Sequence, residues 1–203
     1  MINILSHIVE FRNGESGLHV LHIQTITEML LRQLVQKENN RYALSKEQIR
    51  MITTASALHD IGKISIPDEI LNKPGRLTAE EFAVIKGHSM AGANMLSELP
   101  LDQKEEPLVK TAYEICRWHH ERYDGGGYPD GLKGEEIPVS AQVVALADVY
   151  DALTSERCYK DAYSHEKAIE MILAGQCGAF NPLMLECLLD ISSSLKKKMG
   201  YKS

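Results

Sequence analysis

Residues 57–63 read Ala57-Leu58-His59-Asp60-Ile61-Gly62-Lys63. An apolar helical run over 51–58 ends there in a histidine, an aspartate, a glycine and a lysine. A carboxylate at the end of such a run needs a partner or a metal, because burying it alone costs on the order of several kcal/mol. Two readings fit the stretch by itself. One is a helix C-terminus with a satisfied histidine and a turn; the other is a pair of metal ligands.

The chain on either side is helical in pattern. A helix is predicted over 5–11, broken by the turn formers Arg12-Asn13-Gly14-Glu15-Ser16-Gly17. Leu18, Leu21, Ile26, Met29, Leu30 and Leu34 then fall near helical spacing, and Glu38-Asn39-Asn40 ends that helix. Ser45 with Gln48 three residues on reads as a capping box for the helix that carries Ile49, Ile52, Ala55 and Leu58 to the His59-Asp60 pair.

Beyond Lys63, residues 64–76 read as a loop, with breakers at Pro67, Pro74 and Gly75 and one helical turn at 68–71. Thr78 followed by Glu80-Glu81 starts a helix that contains Gly87-His88 and runs toward Leu96. Pro107 starts another that reaches Trp118-His119-His120. The glycines and proline of 124–134 cannot form a helix interior. Ser140 is expected to cap a helix over 143–153 containing Asp148, and two structural helices follow over 164–176 and 182–197. Strand alternation, repeats and low-complexity segments are absent from the sequence. The expectation is an all-α chain: one multi-helix bundle over 1–203, a glycine-rich loop at the active site, and a flexible tail at 198–203.

Composition narrows the function. The 203 residues suffice for a substantial core, and 44% hydrophobic with 25% charged content is ordinary for a globular protein. A net charge of -6 argues against non-specific binding of a nucleic-acid polymer. An anionic ligand still fits if local cations or metals set the field. No apolar run is long enough for a membrane span, and the N-terminus lacks the basic region of a signal peptide. Cys116, Cys158, Cys177 and Cys187 are scattered, which fits a reducing cytoplasm rather than a disulfide framework.

Five of the eight histidines, His19, His59, His88, His119 and His120, form a set with Glu15, Asp60 and Asp148. Each histidine alone is as readily a core or surface residue. Consecutive helical side chains diverge by about 100°, so the His59-Asp60 and His119-His120 pairs suit two neighbouring metals better than one. Two ions roughly 3.5–4 Å apart are the usual device for phosphoester hydrolysis, and Asp60 is the natural bridging carboxylate. Glu15 and His19 share a helix face at i,i+4 and suit an additional ion. A set without thiolates favours iron or manganese over structural zinc. Lys63 reads either as a solvated helix-end lysine or as a cation that neutralises a phosphate in the transition state. Arg157 and Lys160, near Tyr150 and Tyr159, read either as a solvated helix end or as a phosphodiester site.

The segment His119-His120-Glu121-Arg122-Tyr123-Asp124-Gly125-Gly126-Gly127-Tyr128-Pro129, with His59-Asp60 upstream, resembles an HD-GYP domain, a branch of the HD-domain phosphohydrolases. Ile66-Pro67-Asp68, Lys73-Pro74-Gly75-Arg76-Leu77-Thr78 and the 147–155 segment extend the resemblance over about 9–182. It implies an all-helical phosphodiesterase that opens cyclic di-GMP to the linear dinucleotide, with GMP as a further product. It carries metal ligation to Glu15, His19, His59, Asp60, His88, His119, His120 and Asp148, with two or three ions. It assigns phosphate contacts to Lys63, Arg157 and Lys160. The Gly127-Tyr128-Pro129 loop is expected to shape the site and to contact GGDEF-domain partners. A sensor or receiver domain, usual in the family, is not read in this sequence, which is taken either as an excised output domain or as a stand-alone protein. A silent binding module, or a hydrolase of another cyclic dinucleotide or nucleotide phosphate, is the alternative. Two positions depart from the family pattern. His22 stands where arginine is common and reads as a satisfied or exposed histidine rather than a ligand. Asn181 replaces an aspartate and reads as a helix N-cap either way.

Overall fold

The computed structural model describes residues 2–12, 17–38, 41–156 and 162–200. Ten α-helices order them: α1 (Ile2–Arg12), α2 (Leu18–Leu34), α3 (Lys46–Ala55), α4 (Asp68–Leu71), α5 (Ala79–Ser97), α6 (Leu101–Lys104), α7 (Pro107–Trp118), α8 (Val139–Thr154), α9 (His165–Leu173) and α10 (Pro182–Lys198). No strand occurs among the described residues, so the fold is all-α.

Local chemistry sets most of the ends. Ser45 and Gln48 form the expected reciprocal capping box at α3, and Thr78 with Glu81 forms another at α5. Ser164 caps α9, and the Asn181 side chain accepts from the Leu183 N–H at the start of α10. Ser140 does not cap α8. That helix starts at Val139, one residue after Pro138, and the Ser140 hydroxyl instead donates to Glu114 Oε2 at 2.7 Å. Helix α9 stops at Leu173, short of the expected 176, because the chain turns at Gly175, whose φ is +70°. Helix α2 ends at Leu34, earlier than the acid-amide cluster suggested, and α6 had no clear sequence signal.

Helix α2 is the axis. Ile23, Ile26, Leu30, Leu31 and Leu34 are fully buried, where α2 packs on α3, α8 and α10. Helix α8 is buried on most of its surface, from Val143 through Leu146 to Tyr150, as its near-continuous apolar sequence requires. A second layer pairs α5 with α7 and seats α5 on the turn at residues 61–65. The helix expected to run unbroken to Leu58 tightens after Ala55 into a 3-10 turn, Ser56–Leu58, and a second such turn, Ile61–Ser65, follows the His59-Asp60 pair. Gly62 is the hinge of this packing. A Cβ there would stand 1.9 Å from the His88 carbonyl oxygen and 2.4 Å from Gly92 N. Only glycine lets the turn approach α5 so closely.

Arg12 fastens the same turn from the other side. Its guanidinium donates to Asp68 Oδ1 at 2.9 Å and to the carbonyls of Lys63, Ile64 and Ile66 at 3.1, 2.7 and 2.7 Å. The turn is thereby held between the end of α1 and the middle of α5.

Candidate metal centre

Four elements bring the histidines together: α2 supplies His19, the junction between the two 3-10 turns supplies His59 and Asp60, α5 supplies His88, and the end of α7 supplies His119 and His120. His19, His59, His88 and His119 are each at most 4% exposed, and Asp60 is 8% exposed. Two groups with metal-ligating geometry result, Asp60 with His88, His119 and His120, and His19 with His59 and Asp60. Asp60 belongs to both. Its Oδ1 lies 3.1 Å from His88 Nε2 and 3.8 Å from His119 Nε2. Its Oδ2 lies 3.3 Å from His59 Nε2 and 2.7 Å from Lys63 Nζ.

The backbone fixes which ring nitrogen faces inward. His59 Nδ1 lies 3.0 Å from the Ser56 carbonyl, His88 Nδ1 2.7 Å from that of Ile85, and His119 Nδ1 2.8 Å from that of Ile115. A carbonyl only accepts, so each Nδ1 carries the proton and each Nε2 presents a lone pair. The Nε2 atoms face one another across short gaps: the acceptors of His88 and His119 stand 3.4 Å apart, the Nε2 atoms of His19 and His59 3.3 Å apart, and His120 Nε2 lies 3.2 Å from His88 Nε2. Acceptors packed this closely call for a cation between them. The donor set, imidazole nitrogens with a shared carboxylate, fits divalent metals.

His19 is held by a carboxylate instead of a carbonyl. Its Nδ1 lies 2.6 Å from Asp151 Oδ2, and the other oxygen of Asp151 lies 2.7 Å from His22 Nδ1. His22 is thus the satisfied histidine its sequence position suggested, beside the centre and not within it. Burial alone would raise the Asp151 carboxyl, but His19 and His22 outweigh it and lower the pKa. Burial likewise opposes the Asp60 charge, yet the Lys63 ammonium at 2.7 Å holds that carboxyl well below the usual range. His119 moves the other way: burial, and then the neighbouring His59, push it down to about 3. Burial and His119 also press His120 well below its ordinary value. Protons are therefore disfavoured on this wall of the site.

Asp148 stands at the edge, its Oδ1 4.0 Å from His59 Nε2, outside both tight groups. Glu15, Arg157 and Lys160 lie outside the described residues. The Gly127-Tyr128-Pro129 loop closes over His120, where the Tyr128 ring stacks at 4.8 Å and 23°. Lys86 Nζ lies 5.1 Å from the centroid of that ring.

Sequence reasoning passed over three supporting groups. Asp151 was visible as a second acid at i+3 from Asp148 on α8. Arg12 gave no signal beyond being a basic residue at a helix end. Glu10, an isolated acid in the apolar α1, is only 4% exposed, with Oε1 3.9 Å from His19 Nε2.

Comparison with known proteins places this arrangement. A model of the HD-domain family matches residues 1–180, and the chain belongs to that family. It is 42% identical over 191 residues to a probable cyclic di-GMP phosphodiesterase of Vibrio cholerae, covering 91% of this chain and 42% of that protein. It is 39% identical to a 3'3'-cGAMP-specific phosphodiesterase 2 of the same organism, covering 92% of this chain and 33% of that protein. The chain therefore spans less than half the length of these relatives. Among solved structures, Bd1817, an HDG"Y"P protein from Bdellovibrio bacteriovorus, superposes with a TM-score of 0.63 at 22% identity, over 86% of this chain and 51% of that one. That likeness establishes the fold. HD-domain phosphohydrolases bind divalent metals, and this chain has a histidine-aspartate cluster that could hold them. No helix among the described residues is long and apolar enough to cross a membrane.

Proposed function

We propose that this chain is a metal-dependent phosphodiesterase that opens cyclic di-GMP to the linear dinucleotide, with GMP as a further product. One observation carries the proposal: Asp60 divides its two carboxylate oxygens between two groups of inward-facing imidazole nitrogens. That is the arrangement a pair of bridged ions requires. His59, His88, His119, His120 and Asp148 would hold the pair together with Asp60, and His19 with Glu15 would add a third ion. A donor set of nitrogen and oxygen supports iron or manganese. When bound, such ions supply Lewis acidity toward phosphoryl oxygens and acidify a water to near-neutral pKa.

The chain's own residues do the rest. Lys63 holds a positive charge beside the Asp60 carboxylate, where the phosphoryl group gains negative charge. Arg157 and Lys160 grip the non-reacting phosphate and so orient the scissile one. Tyr128 walls the site above His120 and keeps water from that side. GGDEF-domain proteins as docking partners, a separate sensor or receiver domain as input, and a cytoplasmic location belong to the same proposal. The location is supported by Cys116 and Cys187, which stand as buried thiols.

A second substrate is favoured by one specific finding: the relative named as cGAMP-specific is nearly as similar to this chain as the relative named for cyclic di-GMP. The test is product analysis with cyclic di-GMP and 3'3'-cGAMP, on protein loaded anaerobically with Fe(II) or Mn(II). Linear dinucleotide from cyclic di-GMP, at the higher specificity constant, is expected. A preference for cGAMP would move the substrate. Binding of either nucleotide without product under both metals would reduce the chain to a binding module.

A further inference from the structure

The loop that carries Tyr128 is tied down from beneath by Glu121, a residue to which neither the proposed chemistry nor the family resemblance assigns a role. Glu121 directly follows the His119-His120 pair and is 2% exposed. Its Oε1 accepts from the backbone N–H of Asp130 at 2.7 Å and of Gly131 at 3.0 Å. The loop leaves at Gly125 and Gly126, doubles back, and donates from Tyr128 N to the His120 carbonyl at 3.3 Å. At Gly127 a Cβ would lie 2.4 Å from both Glu121 Cα and Arg122 N, so the loop lies flat against the backbone that bears the carboxylate. On its outer side the Asp130 carboxylate is gripped by Arg117 Nε and Trp118 Nε1, each at 2.7 Å.

We propose that Glu121 is a positioning residue: by holding the far end of the loop through two backbone N–H groups, it sets the Tyr128 ring against His120 and so shapes the substrate wall of the site. This rests on the phosphodiesterase proposal for its kinetic consequence, but not for its geometry. Three features separate it from simple stabilisation. The two donors belong to the loop backbone, so the tie fixes the path of the chain whatever side chains it carries. The other oxygen, Oε2, is buried with no hydrogen-bond partner among the described residues, a cost that two satisfied amides do not by themselves demand. And the same short segment presents His120 on one side and Glu121 on the other, so the loop is registered to the ligand it covers.

The test pairs kinetics on metal-loaded protein with hydrogen exchange in the absence of nucleotide. In Glu121→Ala, KM for cyclic di-GMP should rise about tenfold, the equivalent of about one strong hydrogen bond. Its kcat and metal content should stay within about twofold of the parent. Glu121→Gln keeps an acceptor at Oε1 and should restore the parent KM. Tyr128→Ala should raise KM by itself, and adding Glu121→Ala to it should raise KM no further, because Glu121 acts through Tyr128. Amide exchange over 124–134 should accelerate in Glu121→Ala and not in Glu121→Gln. Unchanged exchange in Glu121→Ala, independent effects of the two substitutions on KM, or lost metal with unchanged KM would each overturn the proposal. Should the metal-loaded parent hydrolyse no cyclic di-GMP, the phosphodiesterase reading fails on its own. Loop exchange then decides the Glu121 tie: acceleration upholds it and unchanged exchange overturns it.

Discussion

His19 and Asp151, 132 positions apart in the chain, meet at 2.6 Å between Nδ1 and Oδ2, and His22 completes the bracket on the other oxygen. This carboxylate does for His19 what main-chain carbonyls do for His59, His88 and His119. It holds the proton on Nδ1 and turns Nε2 to the centre. Asp151→Asn keeps the shape and drops the charge. It should weaken metal retention roughly 10- to 100-fold, the usual effect of losing an outer partner of a ligating histidine. Metal content after graded chelation measures it, and retention equal to the parent would remove Asp151 from the site's support.

Lys63 Nζ touches the proposed bridging carboxylate, Asp60 Oδ2, at 2.7 Å. In Lys63→Met the nucleotide should still bind and the metals should stay. Turnover should fall about 10²- to 10³-fold, the scale of removing one oriented charge stabiliser. Steady-state rates with parallel metal analysis separate this from a structural role, since a lysine needed only for the fold would lower metal content and rate together.

Two glycines near His88 should respond with opposite signs. Gly62→Ala drives a Cβ into the His88 carbonyl at 1.9 Å. Backbone cannot yield as a side chain can, so a loss of about 3 kcal/mol or more is expected. Gly87, in the interior of α5, has nothing within 4 Å of the corresponding Cβ. Gly87→Ala should stabilise by about 0.5–1 kcal/mol through helix propensity. Urea unfolding of both variants compares them directly.

Away from the metal centre, His165 sits buried between the Tyr150 hydroxyl at 2.7 Å and Ser192 Oγ at 2.8 Å. Burial lowers its pKa. Below the unfolded value of about 6.5 the unfolded chain therefore binds more protons than the folded one, and stability falls as pH falls. His165→Gln should flatten the stability profile between pH 7 and 5 relative to the parent. Identical slopes in the two proteins would show that His165 does not contribute.

The helices were legible because capping boxes and 3.6-residue spacing are local signals. Ser45-Gln48, Thr78-Glu81 and Asn181 act as their positions suggest. Ser140 was misassigned because a serine at a helix start is also free to donate sideways, here to Glu114 on α7. The histidine set was legible as adjacent pairs. Its supports were not, since Asp151, Arg12 and Glu121 act through partners distant in sequence or through main-chain atoms. The 3-10 tightening around His59-Asp60 likewise follows from tertiary contact, with Gly62 pressed on α5 and Arg12 gripping the turn from behind. Periodicity carries no trace of such contacts.

The number of ions held around Asp60 tests the proposed bridged pair most directly. Elemental analysis of anaerobically purified protein should find two or three divalent ions per chain in the parent, and clearly fewer in Asp60→Ala, which should also lose turnover. A parent holding fewer than two ions after reconstitution with Fe(II) or Mn(II), or an Asp60→Ala protein with the parent's full complement, would contradict it.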